Sequence, residues 1–211
     1  MVAKGRPRKF DTNEALDKAL IVFWQRGFEG TSLSDLTEAM GINRPSLYAA
    51  FGDKETLFRR ALDRYAEVGP AAVLHGALQQ PTARGVIEHL LRGVAEAFTH
   101  PDRPAGCLVV QGALSCGETA EAVKQELCCR RASAEAQLRE RLERAKAEGD
   151  LPPDADTAIL SRYVSIVVKG MSVQAADGAS RAELLAVVDM VLKCWPFGRA
   201  TPVADGEQQL Q

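Results

Sequence analysis

The spacing of apolar side chains predicts that this chain is built of helices. In its first third, apolar residues such as Leu16, Leu20 and Phe23 recur at intervals of three and four, which places them on one helical face. Gly, Pro, Ser, Asn and Asp interrupt the pattern at points where helices end or begin. The pattern therefore predicts helices over about residues 11–27, 33–40, 44–51 and 54–68.

After Gly69-Pro70, a pair that predicts a stop, the helices become longer. The helix that covers about 118–148 carries a single apolar stripe, so we expect it on the surface of a helical bundle. The whole pattern predicts an all-α fold of about nine helices. The later ones span about residues 84–99, 107–114, 118–148, 155–176 and 181–195.

The last two predicted helices are apolar on nearly every side, which requires a cover on every side. Both helices could lie at the centre of a monomer, or they could pair with the same helices of a second subunit. We favour the second arrangement, a four-helix bundle at a homodimer interface. The residues assigned to this interface are Val164, Val168, Leu184, Val188 and Val191.

The most informative stretch is residues 31–58, where two short helices flank a three-residue turn that begins at Gly41. Gly41 stands where the chain needs a left-handed conformation, and Leu36 and Leu47 are placed to interlock the pair. Because helices this short are not stable alone, they must lean on the first helix. The second short helix has a size that fits the major groove of DNA, so we predict a helix-turn-helix.

The residues that begin this second short helix are predicted to read bases. Asn43, Arg44 and Ser46 lie at its N-terminal end, which points into the groove in helix-turn-helix proteins. The Arg44 guanidinium can pair with guanine through two parallel donors. Pro45 fixes the backbone and offers an apolar edge to a thymine methyl group.

Four further residues are predicted to hold the DNA backbone, and three of them have a structural alternative. Tyr48 and Lys54 stand where phosphates would run, although Tyr48 could pack beneath the turn and Lys54 could be a solvated residue. Thr31 and Ser32 offer hydroxyl and backbone N–H groups at the start of the preceding helix, where phosphate is favoured. Thr31 could instead be a second cap beside Ser32.

Charge is distributed unevenly along the chain. The net charge is -2, but residues 1–65 carry 11 Lys and Arg against 9 Asp and Glu. The first nine residues hold four basic side chains and no acidic one, and Arg6 and Arg8 of this arm are candidates for minor-groove contacts. The arm could also be idle. A basic end on an acidic body suits a protein that meets phosphate at one end.

Residues from about 10 to 65 resemble the DNA-binding head of the TetR/AcrR family of regulators. Thr37 departs from the family pattern, which usually has Ala there, and we expect so small a side chain to preserve the packing. The resemblance implies a homodimeric repressor of a palindromic operator, with a divergent C-terminal domain that binds an effector. It is carried by Ala19, Phe23, Gly27, Phe28, Thr31, Leu33, Leu36, Gly41, Leu47, Tyr48, Phe51, Lys54 and Leu57.

These observations predict three regions. Residues 1–68 form the helix-turn-helix DNA-binding domain, residues 69–196 form the ligand-binding and dimerisation domain, and the polar tail 197–211 is expected to be disordered. The helix at 54–68 links the two domains. The expected partners are double-stranded operator DNA, a second copy of the chain and an unidentified small-molecule effector. Candidate pocket residues, each of which could be plain core, are Phe98, Cys107, Val110, Tyr163 and Met171.

Composition and missing motifs narrow the function further. Apolar residues make up 46% of the chain, enough for a core, but no unbroken run is long enough to span a membrane and no leader pattern is present. We therefore expect a cytoplasmic protein. The sequence has no P-loop, HExxH or GxSxG motif, so we expect no enzyme, cofactor or metal site.

Two alternative functions stay open at this point. A helical adaptor without DNA binding would need neither Arg44 nor Ser46. A cysteine-based redox or metal sensor is the other alternative, because all five cysteines lie in the body, after residue 100. They lack CxxC spacing, and each could be simply a small buried apolar residue.

Overall fold

The computed structural model describes residues 10–114 and 120–195, and this part of the chain contains ten α-helices and no strand. The all-α prediction is confirmed, and the first four helices match their predicted bounds to within one residue. The helices are α1 (Thr12–Arg26), α2 (Leu33–Met40), α3 (Arg44–Phe51), α4 (Lys54–Val68), α5 (Pro70–Leu78), α6 (Ala83–Phe98), α7 (Leu108–Leu114), α8 (Glu121–Ala147), α9 (Thr157–Ala176) and α10 (Arg181–Cys194).

The described residues contain one helix more than the sequence pattern predicts. The pattern predicts a stop at Gly69-Pro70, whereas α4 ends at Val68 and α5 begins directly at Pro70. Proline suits a first helical position because the backbone N–H that it lacks would have no helical partner there. The prediction of about nine helices is therefore corrected to ten, and Gly69 alone separates α4 from α5.

Aromatic rings between α1 and α4 hold the head together. The Phe23 ring packs edge-on against Phe58 with 4.9 Å between centroids, and Phe28 lies 5.2 Å from Phe58. Each such pair contributes about 0.5–1.5 kcal/mol beyond its buried area. Leu36 of α2 and Leu47 of α3 are fully buried beside these rings. The two short helices thus depend on α1 and α4 for their position.

The turn between α2 and α3 has the geometry that the sequence predicts. Gly41 ends α2 in the left-handed region, with φ 67° and ψ 30°. Such a conformation costs a residue with a side chain about 1–2 kcal/mol. Asn43 then caps α3, whose first turn contains Pro45. The chain therefore reverses within three residues and leaves α3 at an angle set by this turn.

The linker helix α4 is tied to both the head and the body. Arg64 of α4 forms an ion pair with Asp17 of α1, with 2.7 Å between Nε and Oδ1. Asp63, one residue earlier, pairs with Arg130 of α8 at 2.6 Å. A displacement of α4 therefore reaches the head and the body together.

In the body, α6 lies at the centre and packs against α5, α9 and α10, while α8 crosses α7 and α9 on the outside. The buried apolar residues of α8 keep to one side, including Val123, Leu127, Leu138 and Leu142, and Arg141 is the one charged residue of α8 that is buried. This placement confirms the surface position that its single stripe predicts. None of the described helices is long and apolar enough to cross a bilayer.

The structure corrects the residues that we assign to the dimer interface. Val164, Leu184, Val188 and Val191 are all buried within one subunit, and Val168 is half-buried beside them. Both helices are apolar on nearly every side, so the pattern does not distinguish the inward face from the outward one. The large apolar side chains that α9 and α10 leave exposed are Ile159, Tyr163, Ile166, Val173, Val187 and Met190.

Candidate DNA-binding face and effector cavity

The helix α3 is anchored along one side and open along the other. Leu47 and Phe51 are buried in the head. At the helix start, the Asn43 Oδ1 accepts a hydrogen bond from the Ser46 backbone N–H at 2.9 Å. This cap satisfies one of the N–H groups that a helix start leaves without a partner. The predicted role of Asn43 is therefore partly structural.

The open side of α3 carries the predicted base-reading residues. Arg44 and Pro45 are exposed, and Ser46 is half-buried next to its cap. The Arg44 guanidinium donates a hydrogen bond to the Ser34 hydroxyl of α2 at 2.9 Å, which holds this long side chain against the neighbouring helix. Tyr48 is 49% exposed, so its ring is available to a partner and does not lie beneath the turn.

Thr31 lies inside the head and not on this face. Its side chain is 1% exposed, and its hydroxyl donates to the Gly27 carbonyl at 2.6 Å. A phosphate accepts hydrogen bonds, and the one proton of the Thr31 hydroxyl is already used. The hydroxyl thus bonds to the end of α1 and does not act as a second cap of α2 beside Ser32. We therefore remove Thr31 from the proposed DNA contacts.

Ser32 is exposed, but a carboxylate already occupies the helix start that it caps. The Ser32 hydroxyl donates to Asp35 Oδ2 at 2.7 Å, and the Ser32 backbone N–H donates to the same oxygen at 2.8 Å. Arg26 pairs with Asp35 at 2.6 Å. The hydrogen bonds from Ser32, followed by the one from Arg26, lower the pKa of Asp35 to about 2. A phosphate at this position would have to compete with Asp35.

Lys54 begins α4 and lies partly over an aromatic ring. Its Nζ is 4.4 Å from the centroid of Phe28, a distance typical of a cation–π contact. Partial burial lowers the pKa of Lys54. The side chain thus packs on the head and is half-buried, which leaves part of it at the surface next to α3. Arg6 and Arg8 lie outside the described residues.

A cavity of about 420 Å³ lies in the body and is lined by residues of the helices α4 to α9. Phe98, Cys107 and Val110 line it, whereas Tyr163 is exposed and Met171 is buried away from its lining. Adjacent helical residues point about 100° apart, which is why Val164 faces the cavity although Tyr163 does not.

None of the pocket residues predicted from the sequence lies on α4, although α4 contributes to this cavity. Leu62, Tyr65 and Ala66 of α4 line it, as do Arg131 of α8 and Lys169 of α9. The signal was present, since Leu62 and Tyr65 continue the apolar stripe of α4 past the part that the head covers. The helix that carries the head is therefore also a wall of the cavity.

The deepest polar groups of the cavity are Tyr65 and Cys107. The buried Tyr65 hydroxyl lies next to the Cys107 thiol, and it makes no well-formed hydrogen bond within the described part of the chain. Burial raises the pKa of Tyr65 and the pKa of Cys107, so both groups are neutral at neutral pH. The Cys107 backbone N–H donates to Ser172 Oγ at 2.9 Å.

The other cysteines are spread over the surface of the body. Cys128, Cys129 and Cys194 are exposed, and Cys116 lies outside the described residues. Cys128 Sγ accepts a hydrogen bond from the Arg131 guanidinium at 3.1 Å. Among the described residues, no group of three His, Cys, Asp or Glu side chains could hold a metal ion.

Two family models match this chain. The model described as bacterial regulatory proteins, tetR family, matches residues 15–61, and the model described as tetracyclin repressor-like, C-terminal domain, matches residues 83–186. The HTH-type transcriptional repressor ComR of Escherichia coli K12 is 36% identical over 197 residues, which cover 92% of this chain and 93% of ComR. The repressor BdcR of the same strain is 32% identical over 189 residues, which cover 88% of this chain and 89% of BdcR.

Solved structures of TetR family regulators are also similar to this chain. A cysteine mutant of the TetR family transcriptional regulator CifR, complexed with 26-base-pair operator DNA, has a TM-score of 0.87 and 46% identity. It covers 90% of this chain, and this chain covers all of it. A TetR regulator from Rhodococcus has 41% identity, a TM-score of 0.61 and coverage of 89% of this chain.

Proposed function

We infer the function from the premise that this chain belongs to the TetR family of bacterial regulatory proteins. It is a DNA-binding transcriptional regulator. We propose that it is a ligand-responsive repressor that binds a palindromic operator as a homodimer, with α3 of each subunit in one major groove. Its proposed place of action is the cytoplasm, where such an operator is reached.

The observation that carries this proposal is the open side of α3. Arg44 is exposed and held in place by Ser34, and Pro45 and Tyr48 are exposed on the same helix. Two donors of one guanidinium match the acceptors of guanine in the major groove, and such a pair discriminates between bases by about 1–3 kcal/mol. CifR, which is similar over nearly its whole length, binds operator DNA in its solved complex. We assign base reading to Arg44, Pro45 and Ser46.

The backbone contacts in this proposal come from the edges of the same face. Tyr48 and Lys54 are assigned to phosphates, with Arg6 and Arg8 of the N-terminal arm as candidates for the minor groove. Ser32 is assigned a weaker contact because Asp35 occupies the same helix start. In domain terms, residues 1–68 bind DNA and residues 69–196 bind the effector and the second subunit.

The exposed apolar stripe on α9 supports a homodimer. Ile159, Tyr163, Ile166 and Val173 recur at intervals of four, three and seven, so they lie along one side of the helix. Gly170 on this side has open space around its Cα, which lets another helix approach closely. Val187 and Met190 add a second stripe on α10. We propose that these two stripes pair with their copies in a second subunit, in place of the buried valines considered first.

The test is a comparison of DNA binding by two arginine variants of the full chain. Arg44→Ala is expected to weaken binding to DNA from the region upstream of the chain's own gene by about 5- to 150-fold. Arg139→Ala, an exposed arginine of α8, is the matched control and should bind like the unaltered protein. Equal binding by both variants, or no binding by the unaltered protein, would contradict the proposal.

Thiol chemistry is the second candidate function, and it rests on Cys128. This exposed thiol accepts a hydrogen bond from the Arg131 guanidinium, and an exposed thiol is accessible to an oxidant. Under this proposal, hydrogen peroxide releases the protein from DNA and Cys128→Ser abolishes that release. If the unaltered protein binds DNA equally with and without peroxide, this candidate is excluded.

A further inference from the structure

The cavity is lined by more cationic than anionic side chains, although most of its wall is apolar. The cationic side chains that line it are Arg130, Arg131 and Lys169, and the carboxylate among its lining residues is Glu135. Lys169 lies 3.9 Å from Glu135, which is also bonded to Arg162 outside the cavity. The cationic charge at the cavity thus exceeds the anionic charge that the lining itself supplies.

Arg131 is the cation of this set that no carboxylate neutralises within the described residues. Its guanidinium donates to the Val109 carbonyl at 2.8 Å and to the Cys128 sulfur at 3.1 Å, and neither acceptor is a carboxylate. Arg130, its neighbour in sequence, contacts the carboxylates of Asp63 and Glu126. An arginine that lines a cavity and lacks a counter-ion there is suited to bind an anionic group of a ligand.

Tyr65 supplies a second, independent observation in the same cavity. Its hydroxyl is buried beside the Cys107 thiol and the Leu108 backbone, and it makes no hydrogen bond of good geometry within residues 10–114 and 120–195. Tyr65 lies beside Cys107 at the start of α7, and Arg131 bonds to Val109 two residues later. The two polar groups therefore lie against the same turn of the chain.

Most of the remaining cavity wall is apolar and includes Leu62, Leu90, Val94 and Phe98. Its other polar side chains are His75, Ser133, Gln137 and Ser165. Its volume of about 420 Å³ lies within the range of small-molecule sites. Such a wall favours an aliphatic or aromatic body and leaves the polar turn to fix the orientation of the ligand.

Tyr65 also touches the head directly. Its ring packs edge-on against Trp24 of α1, with 4.7 Å between centroids. Both side chains are buried. A ligand that pulls on the Tyr65 hydroxyl therefore acts on a ring that is packed against the DNA-binding domain, without an intermediate layer of side chains.

We propose that the cavity binds an apolar carboxylate, whose anionic group is held by Arg131 and by the Tyr65 hydroxyl, and that Tyr65 transmits its binding to Trp24. This inference rests on the proposed function, since it identifies the class of the effector. The carboxylate accepts hydrogen bonds from both groups while its apolar body fills the cavity. Movement of the Tyr65 ring then shifts α1 relative to α4, and with it the position of α3.

The first test compares acids with their uncharged amides by calorimetry on the full-length protein. The probes are octanoate with octanamide, and 3-phenylpropanoate with 3-phenylpropanamide. In at least one of these pairs the acid is expected to bind roughly tenfold more tightly than the amide, the difference expected for a charge-assisted hydrogen bond. Equal binding of acid and amide, or no binding of any probe, would overturn the proposal.

Variants of α8 test whether Arg131 causes the tighter binding of the acid than of the amide. In Arg131→Gln the acid and the amide should bind within about twofold of one another, whereas Arg131→Lys should retain part of the preference because it keeps the charge. Arg139→Gln makes the same chemical change on the same helix, outside the cavity lining, and should keep the full preference. A preference that survives in Arg131→Gln would contradict the assigned site.

The second test follows the path to the head by tryptophan fluorescence. The chain has two tryptophans, so Trp195→Phe leaves Trp24 as the reporter. The acid is expected to change the Trp24 emission and to release operator DNA over the same concentration range, and Tyr65→Phe should require several-fold more acid for both effects. An unchanged Trp24 emission at saturating acid would overturn the transmission step. If the acids fail while Arg44→Ala still loses DNA binding, this inference fails and the proposed function stands.

Discussion

In the head, α3 has eight residues and buries only Leu47 and Phe51. Its other side chains are exposed or half-buried. In the body, α9 has 20 residues with apolar side chains around nearly its whole circumference, and it serves the core, the cavity and the proposed subunit interface together. The side chains of α3 therefore serve one core and one exposed face, whereas those of α9 serve the core, the cavity and the proposed interface. The consequences of a substitution should differ accordingly between the two regions.

The largest expected effect tests how tightly each region is packed. Phe23→Ala removes a fully buried ring from the aromatic cluster of the head and should cost about 3–5 kcal/mol of unfolding free energy. Phe98→Ala should cost less, because that ring is equally buried but lacks, among the described residues, the aromatic neighbours that Phe23 has in Phe28 and Phe58. Urea denaturation of both variants measures the difference. A larger loss in Phe98→Ala would contradict the contrast in packing.

The next effect tests the outer side of α9. Ile166→Glu places a carboxylate in the middle of the exposed apolar stripe and should raise the dimer dissociation constant by at least about 30-fold. Sedimentation measurements over a range of protein concentrations would detect the change. Ala136→Glu, which adds the same carboxylate at an exposed residue of α8, is the matched control. If both variants dimerise equally, the stripe is not the interface.

The smallest effect compares the capping boxes of the two regions. Ser32→Ala in the head and Ser180→Ala in the body each remove a hydroxyl that accepts a backbone hydrogen bond, at a cost of about 1 kcal/mol. Only the loss of Ser32 should also weaken DNA binding, because it frees the start of α2 next to α3. Thermal unfolding and DNA titration of both variants separate the two consequences. Weaker DNA binding by Ser180→Ala alone would reverse the comparison.

Acid should weaken both capping boxes. Hydrogen bonds from Ser32 lower the pKa of Asp35 to about 2, and hydrogen bonds from Ser180 lower the pKa of Glu183. A carboxyl group whose pKa is lower in the folded state than in the unfolded state stabilises the protein when the pH is above the unfolded pKa. This stabilisation is lost as the pH falls through the folded-state pKa. The head box is therefore expected to persist to about pH 2. A carboxyl titration by NMR that placed Asp35 near its ordinary value would contradict this.

The same contrast explains how far the sequence alone could lead. Short helices between glycines and caps leave little freedom, so the bounds of α2 and α3 and the turn at Gly41 could be predicted from residue types. The role of Thr31 was harder to predict, because a hydroxyl at a helix start can bond to a phosphate as well as to the Gly27 carbonyl that it contacts.

In the body, helices could be predicted but their faces could not. Val164 and Tyr163 are adjacent and both apolar enough for a core, yet one is buried at the cavity and the other is 41% exposed. Only the packing of neighbouring helices decides between them. The role of Tyr65 was hidden for the same reason, since its stripe on α4 belongs to the head at one end and to the cavity at the other.

Selection of bound DNA from a random pool tests the central claim, that two copies of α3 read one operator across a twofold axis. We expect an inverted repeat whose half-sites lie about 10–10.5 base pairs apart, or a multiple of that spacing, from centre to centre. The same selection with Arg44→Ala should lose the preference for guanine at one position of each half-site. Enrichment of a single unrepeated site, or of no sequence at all, would contradict the account.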